Sequence, residues 1–119
     1  MGLFGVKITI ANPLDPSRQV EVELLVDIGA TLSWVPRELA ERIGAPHVSR
    51  IPVRLADGRS VERETSGAIF KYDGATSVAP FVVAEPGDSS LLGATALEAL
   101  GFAVDPVNKR LVPQALLAM

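Results

Sequence analysis

Alternation of apolar and polar residues divides the first part of the chain into two segments. The segment "GVKITIA", residues 5–11, alternates strictly, and "RQVEVELLVD", residues 18–27, alternates before it becomes continuously apolar at "LLV". A period of two is typical of a half-buried β-strand. The turn cluster "NPLDPS" separates the two segments. The pattern therefore predicts a hairpin whose second strand ends at Asp27.

The rest of the chain predicts further strands and short helices. In "VPRELAERIG", residues 35–44, apolar residues recur at helical spacing between a proline and a glycine. Residues 51–64 and 67–85 each alternate around an Asp-Gly pair, which is a strong hairpin signal. Residues 89–101, "SSLLGATALEALG", pass through a glycine into a second helix, and residues 102–113 predict a last strand or hairpin. The sum is a mainly β fold with one or two short helices.

Composition narrows the class of protein. At 119 residues we expect a single domain, residues 1–119. The hydrophobic fraction of 48% is high for so small a protein, which indicates that another subunit covers part of the apolar surface. The net charge is -3 and the basic residues are scattered. We therefore expect no nucleic-acid partner.

The residue types present also bear on chemistry and location. There is no cysteine, which excludes disulfides, thiolate metal sites and cysteine nucleophiles. The single histidine, His47, has no second residue at metal-ligand spacing. We expect it to lie at the surface, and we expect neither a metal nor a cofactor. No apolar run approaches about 18 residues, and the first residues lack the pattern of a signal peptide. We therefore expect a cytoplasmic protein with no membrane partner.

Asp27 is the first candidate for chemistry because it lies where an apolar strand ends. A carboxylate beside a core needs either hydrogen-bonding partners or a function. Asp27 is followed by Ile28 and Gly29, and Asp with a nearby Gly is also common in ordinary turns, because Asp bonds to adjacent backbone. These residues alone leave a structural turn and a catalytic acid as alternatives.

Two segments resemble each other and together resemble a known protease family. Both "LLVDIGA" and "SSLLGATALEAL" place two apolar residues before a glycine turn, and a helix follows each. The layout resembles that of retroviral-type (retropepsin-like) aspartic proteases, in particular their cellular and bacterial branch. The family's Asp-Thr/Ser-Gly-Ala/Ser turn is matched by "DIGA" at residues 27–30, and its bracing apolar-apolar-Gly segment by "LLG" at residues 91–93. The resemblance runs from Val20 to Pro113.

The resemblance implies an architecture and a set of site residues. It implies a single-lobe, retropepsin-like closed β-barrel or sandwich that is completed as a two-fold homodimer, in which each chain supplies one catalytic acid, Asp27. The hairpin tip from Ala56 to Ser60 would form a flap over an extended peptide. The resemblance assigns substrate binding to Gly29, Ala30, Ala56, Asp57, Gly58 and Arg59. It assigns support of the site to Ile28, Leu91, Leu92 and Gly93.

Ile28 is the main departure from the family pattern. The Thr or Ser usual at this position bonds across the dimer axis through its hydroxyl, which isoleucine lacks. The acid and the arginine that many viral members carry after the two glycines are also absent, and Thr31-Leu32 and Ala94-Thr95 stand there instead. Two functions remain open. One is a homodimeric aspartic endopeptidase that hydrolyses extended peptides with a water activated by the paired Asp27 carboxyls. The other is a dimeric peptide-binding or assembly module of the same fold with weak or no proteolytic activity.

Overall fold

The computed structural model describes residues 4–115, and most of them lie in strands. Strands account for 52% and helices for 12%, so the prediction of a mainly β fold with short helices is confirmed. The elements in chain order are β1 (Gly5–Ala11), β2 (Gln19–Val26), β3 (Ser33–Pro36), α1 (Arg37–Arg42), β4 (Ser49–Arg54), β5 (Ser60–Tyr72), β6 (Ala75–Ala84), β7 (Leu91–Leu92), α2 (Ala94–Leu100), β8 (Phe102–Asp105) and β9 (Arg110–Pro113). Neither α1 nor α2 has the length and apolar character that crossing a membrane requires.

Seven strands form one sheet in the order β1-β2-β7-β3-β6-β5-β4, and β1 also pairs with β5. The pairs β2–β7 and β3–β6 are parallel, whereas β3–β7 is antiparallel. The short strand β7 therefore lies between the strand that ends at Val26 and the strand that begins at Ser33. Because of this position, β7 bridges both ends of the loop that contains Asp27. Strands β8 and β9 form a separate two-stranded sheet.

The predicted hairpins are present, and a single long strand serves two of them. β5 spans 13 residues and pairs with β4 through one half and with β6 through the other. Asp73 and Gly74 both have positive φ, 48° and 84°, as a two-residue type I′ turn requires. The β4–β5 connection is residues 55–59, so the predicted tip shifts by one position: Ser60 already belongs to β5. The predicted last hairpin is β8–β9.

Strand β3 has no counterpart in the sequence prediction, and it shortens the first helix. Val35 and Pro36 pair in parallel with Val83 and Ala84 of β6. The helix predicted over residues 35–44 therefore begins only at the residue after Pro36 and covers six residues. The partner residues in β6 lie almost 50 positions further along the sequence, so no local pattern predicts this strand.

The core fixes the end of β2 and hence the backbone at Asp27. Along β2 every second residue is buried, and Leu24 is fully buried, as the alternation predicts. Phe70 and Phe81, both fully buried, pack edge to face with their ring centroids 6.5 Å apart. Helix α2 buries Ala96, Leu97 and Leu100 and lies mainly against β6. A strand buried along one face leaves its last residue little freedom of position.

Candidate active site

Asp27 is the first residue after β2, and it is half-buried. Its backbone N–H donates to the carbonyl of Leu92 at 3.0 Å, and its own carbonyl accepts from Ala30 N–H at 3.2 Å. The side-chain Oδ1 accepts from Gly29 N–H at 2.9 Å. Oδ2 accepts no hydrogen bond from any residue between 4 and 115. The carboxyl group is thus held by one oxygen and leaves the other open to a water or a ligand.

The turn between β7 and α2 holds the Asp27 loop through backbone hydrogen bonds. Ala94 N–H donates to Ala30 O at 2.8 Å, and Thr95 N–H donates to Thr31 O at 3.0 Å. These two bonds use N–H groups of the first helical turn, which have no partner inside the helix. The loop therefore caps α2 with its own carbonyls, and α2 in turn fixes the loop.

Gly93 brings these two turns closer than a side chain would allow. A Cβ built on Gly93 would lie 2.6 Å from the carbonyl carbon and oxygen of Leu32 and 2.8 Å from the carbonyl oxygen of Ala30. The N–H of Gly93 donates to Oγ of Ser33 at 3.0 Å, and Ser33 is fully buried. Both the missing side chain and the buried hydroxyl are needed for this packing.

A groove of about 860 Å³ opens over Asp27. Its floor is the Asp27 loop, its roof is the tip of the β4–β5 hairpin, and one wall is the connection between β6 and β7. The lining residues are Leu25, Asp27, Gly29, Ala30, Thr31, Trp34, Val53, Arg54, Leu55, Ala56, Asp57, Arg59, Gly87, Asp88, Ser89 and Leu91. A cleft of this size with apolar walls and a few charged groups is suited to a ligand such as a peptide segment.

Most charged groups of the groove are paired within the described residues. Arg59 donates from Nε to Asp57 Oδ2 at 2.7 Å and from its backbone N–H to Oδ1 at 2.9 Å. The backbone and side-chain hydrogen bonds from Arg59 lower the pKa of Asp57. The Arg63 guanidinium, behind the groove, lowers the pKa of Asp88. Asp27 is the carboxylate of the groove without an ion-pair partner in this part of the chain.

Ile28 points away from the groove. Its side chain is 58% exposed, and it lines a second cavity of about 600 Å³ beside α2 and β8. Leu25 is another exposed apolar side chain at the end of β2, at 41%. A large apolar residue exposed next to a carboxylate is unusual for a surface that faces only water.

The structure brings most of the predicted site residues together. Seven line the groove: Asp27, Gly29, Ala30, Ala56, Asp57, Arg59 and Leu91. Leu92 and Gly93 are buried, Gly58 lies at the hairpin turn outside the lining, and Ile28 faces the second cavity. His47 is 80% exposed, as predicted, and pairs with Glu64.

Several groove residues were not predicted from the sequence. They are Leu25, Thr31, Trp34, Val53, Arg54, Leu55, Gly87, Asp88 and Ser89. One signal was available: Leu25 continues the outward-facing series of Glu21 and Glu23 in β2 with an apolar residue, which marks a surface that is covered or used. The others reach the groove only through tertiary folding.

The comparisons with known proteins agree with this geometry. Residues 6–96 match the family model described as aspartyl protease. No curated protein matches the sequence. Among solved structures, the chain is similar to the retroviral protease-like domain of Ddi1 from Leishmania major, with a TM-score of 0.64 and 22% identity over 98% of this chain and 91% of that one. An identity this low shows the fold alone. The family match covers most of the chain, so the predicted retroviral-type resemblance is confirmed: the chain belongs to the aspartyl protease family and has a retropepsin-like fold.

Proposed function

We propose that the protein is an aspartic endopeptidase that acts as a two-fold homodimer on extended peptides. The observation that carries the proposal is the state of Asp27: a half-buried carboxyl group in a groove under a hairpin, with one oxygen fixed by Gly29 N–H and the other without a hydrogen bond from residues 4–115. A structural turn would not need a groove above it or a buried second turn beneath it.

The chemistry requires two carboxyl groups, and each chain supplies one. In this mechanism one carboxylate takes a proton from a water while the other, protonated, donates to the oxygen of the scissile carbonyl. A two-fold axis beside Asp27 would bring the second carboxyl from the partner chain. Two carboxylates that close cannot both ionise cheaply, so they titrate as a unit and share one proton. We therefore expect activity to favour acid pH.

Exposed apolar surface around Asp27 supports the dimer. Ile28 and Leu25 are large side chains exposed beside the site, and burial by a partner chain would remove this area from water. The pairing of β1 with both β2 and β5 supports a sheet that closes into a barrel within each subunit. In this arrangement Ile28 supports the active site from the dimer axis, together with Leu91, Leu92 and Gly93.

The hairpin tip is proposed as the flap that covers the peptide. Ala56, Asp57 and Arg59 line the roof of the groove opposite Gly29 and Ala30. Backbone groups on both sides would bond an extended peptide as an added strand. Gly58 gives the tip its turn at φ 89°, a conformation that other residues rarely adopt. These six residues form the proposed substrate-binding set, and no cofactor or metal takes part.

The proposal is tested by comparing the rates at which the parent protein and the Asp27→Asn variant cleave an unstructured protein. Asp27→Asn should abolish cleavage and leave the dimer folded or slightly more stable, because the substitution removes repulsion at the axis. Asp73→Asn is the matched control, since it makes the same chemical change in an I′ turn that accepts Asn. Sedimentation at micromolar concentration should show a dimer. Undiminished cleavage by Asp27→Asn, or a strictly monomeric parent, would overturn the proposal.

The second candidate is a dimeric peptide-binding or assembly module with weak or no proteolysis. Ile28 favours it, because the side chain offers no hydroxyl to order the two catalytic turns. The two candidates differ in one observation. A module binds an extended peptide and returns it intact at acid pH, whereas an endopeptidase returns fragments whose formation depends on Asp27.

A further inference from the structure

A largely buried ion pair connects the β4–β5 hairpin to the connection between β6 and β7. Arg63 of β5 donates from Nε to Asp88 Oδ2 at 2.7 Å and from Nη2 to Oδ1 at 3.0 Å. The two side chains are only 15% and 9% exposed. When a planar guanidinium donates to both oxygens of a carboxylate, the two bonds fix the relative orientation of the two side chains as well as the distance between them. The pair therefore holds the two segments at one separation and one angle.

The β6–β7 connection is anchored to the Asp27 turn at its other end. The carbonyl of Ser90 accepts from Leu25 N–H at 3.1 Å. Two residues further on, the carbonyl of Leu92 accepts from Asp27 N–H. A continuous set of contacts thus runs from the hairpin, through Arg63 and the connection, to the backbone of the acid.

Several hydrogen bonds stabilise the ionised form of the Asp88 carboxyl group. Besides the two bonds from Arg63, its Oδ2 accepts from the backbone N–H of Glu85 at 2.8 Å. Arg63 first, and then the Glu85 N–H, hold the pKa of Asp88 below its usual range. Asp88 in turn raises the pKa of Arg63. Loss of either partner would leave a poorly solvated charge without compensation.

Asp88 lies in the wall of the groove, and its partner Arg63 lies on the hairpin that carries the roof. Residues 55–57 of the hairpin line the roof, and Gly87, Asp88 and Ser89 line the wall. Arg63 is not part of the lining. Arg63 thus holds the wall residue Asp88 from outside the groove, and their contact contributes to the separation of roof and wall.

We propose that Arg63 and Asp88 form a positioning clamp that sets the opening of the groove and thereby the affinity for an extended peptide. The inference rests on the proposed function, because it takes the groove as the peptide site. Arg63 and Asp88 act through the hairpin and touch no reacting atom. Breaking the clamp lets the hairpin move away from the floor, so the peptide loses backbone contacts to the roof while the Asp27 turn keeps its own support.

Another ion pair on the same hairpin provides the contrast. Arg50 and Glu62 belong to β4 and β5, are 56% and 66% exposed, and approach to 3.4 Å. Arg50 also approaches Glu64 of the same β5 strand at 3.6 Å, and within residues 4–115 the ion pairs of Arg50 and Glu62 stay inside the hairpin. An exposed pair of this kind contributes little to stability. Glu62→Gln therefore changes the charge of the hairpin without changing its position.

Kinetics on a peptide substrate test the clamp first. Asp88→Asn and Arg63→Gln should each raise KM about tenfold, as expected when the peptide loses about one backbone hydrogen bond to the roof, with kcat within about threefold of the parent. The double variant should be no worse than either single, because both remove the same contact. Arg63→Lys keeps the charge without the fork, and it is the milder variant if the others fold poorly. Ile8→Val, in the core away from the groove, controls for a general loss of stability.

A fluorescence measurement tests the position of the hairpin without any cleavage. The chain has no cysteine and a single tryptophan, and Trp34 lines the same groove as Ala56. A bimane attached at Ala56→Cys is quenched by Trp34 only at short range. Quenching should fall in Asp88→Asn and Arg63→Gln, and stay at the parent level in Glu62→Gln and Ile8→Val. Trp34→Phe gives the unquenched reference.

The outcomes separate the clamp from the proposed function. A higher KM together with weaker quenching supports the clamp. The clamp is overturned if Asp88→Asn and Arg63→Gln have the same KM as Ile8→Val and the same quenching as the parent, even where the parent cleaves peptide. Should the parent cleave nothing, the proposed endopeptidase fails, and quenching alone decides the clamp: a loss in the clamp variants supports it, and an unchanged signal refutes it.

Discussion

The Asp27 turn and the β7–α2 turn have similar sequences, "LLVDIGA" and "SSLLGATALEAL", but different burial. Asp27 is half-buried with a free oxygen, and Ile28 is 58% exposed. In the other turn Leu92 is fully buried, and Gly93 leaves no room for a Cβ. One turn presents polar and apolar groups to the surface, and the other places Leu92 and Gly93 in the core.

The difference shows how a small fold holds the proposed catalytic carboxyl of Asp27 in place. A free carboxyl oxygen and exposed apolar side chains do not stabilise a lone chain. Backbone hydrogen bonds compensate: the Leu92 carbonyl accepts from the loop, the N–H groups of Ala94 and Thr95 donate to it, and none of them occupies the carboxyl group. Support and chemistry are thus separated between two segments that are 60 residues apart, as the Gly93–Ser33 hydrogen bond illustrates.

The same substitution, glycine to alanine, should have very different effects on stability at Gly93 and at Gly29. Gly93→Ala places a methyl group 2.6 Å from the backbone of Leu32, which cannot yield easily, so we expect a loss of about 3 kcal/mol or more in unfolding free energy. Gly29→Ala meets only Asp27 Oδ1, at 3.2 Å, and should cost less than about 1 kcal/mol. Its cleavage rate should nevertheless fall about tenfold or more, because the carboxyl is displaced. Urea unfolding measures the stability of the two variants, and a cleavage assay measures their rates. Similar losses of stability for Gly93→Ala and Gly29→Ala would contradict the view that the β7–α2 turn supports the fold and the Asp27 turn carries the site.

The hydroxyl of Ser33 should matter next. Ser33→Ala leaves the buried N–H of Gly93 without its acceptor, at a cost of about 1–3 kcal/mol in unfolding free energy. The control is Ser17→Ala, since the Ser17 hydroxyl also makes a hydrogen bond, donated to Asp15, but in an exposed turn; it should cost less than about 0.5 kcal/mol. Equal urea midpoints for the two variants would show that the bond beneath the site contributes no stability.

Ile28→Thr should improve the Asp27 turn by giving it a hydroxyl at the proposed dimer axis. We expect a higher kcat on an unstructured protein substrate, measured against the Asp27→Asn blank, and a change of no more than roughly 1–2 kcal/mol in dimer stability. Val78→Thr makes a comparable change at a side chain that is 65% exposed on β6, and it should leave kcat unaltered. A kcat for Ile28→Thr at or below that of the parent would favour the non-proteolytic module.

The smallest expected effect concerns the stability of the framework at acid pH. Hydrogen bonds from Arg37 lower the pKa of Glu64 and of Glu85. A carboxyl with a lowered pKa in the folded state stabilises the fold above its unfolded pKa, and this contribution is lost as pH falls through the lowered value. Arg37→Gln should therefore be less stable than the parent at neutral pH, and the gap should narrow below about pH 4.5. Urea midpoints across this range test it, and a gap independent of pH would contradict the assignment.

The local elements of this fold could be predicted from the sequence. The Asp73-Gly74 turn and the Gly101 helix end, at φ 81°, follow from backbone preferences of single residues. Asp27 could be proposed because an acid at the end of an apolar strand is unusual, and the paired segment at residues 91–93 gave it a context. Each of these signals can be read within a short stretch of the chain, and the second stretch resembles the first.

What could not be predicted depends on contacts distant in sequence. Strand β3 exists because Ser33 and Trp34 pair with Phe81 and Val82 of β6. Asp88 sits in a turn-like "EPGDSS" segment, and only the folded chain brings Arg63 to it. The outward direction of Ile28 likewise depends on the turn geometry and not on residue type. Such features need the tertiary structure, because no period or turn preference encodes them.

A structure from crystals grown at acid pH would show whether two chains share one pair of acids. We expect a two-fold dimer in which the Asp27 carboxyls of the two chains lie about 3 Å apart and bind one water between them, with the two Ile28 side chains covered at the interface. A monomer, or a dimer whose Asp27 carboxyls are too far apart to share a water, would contradict the shared-acid mechanism.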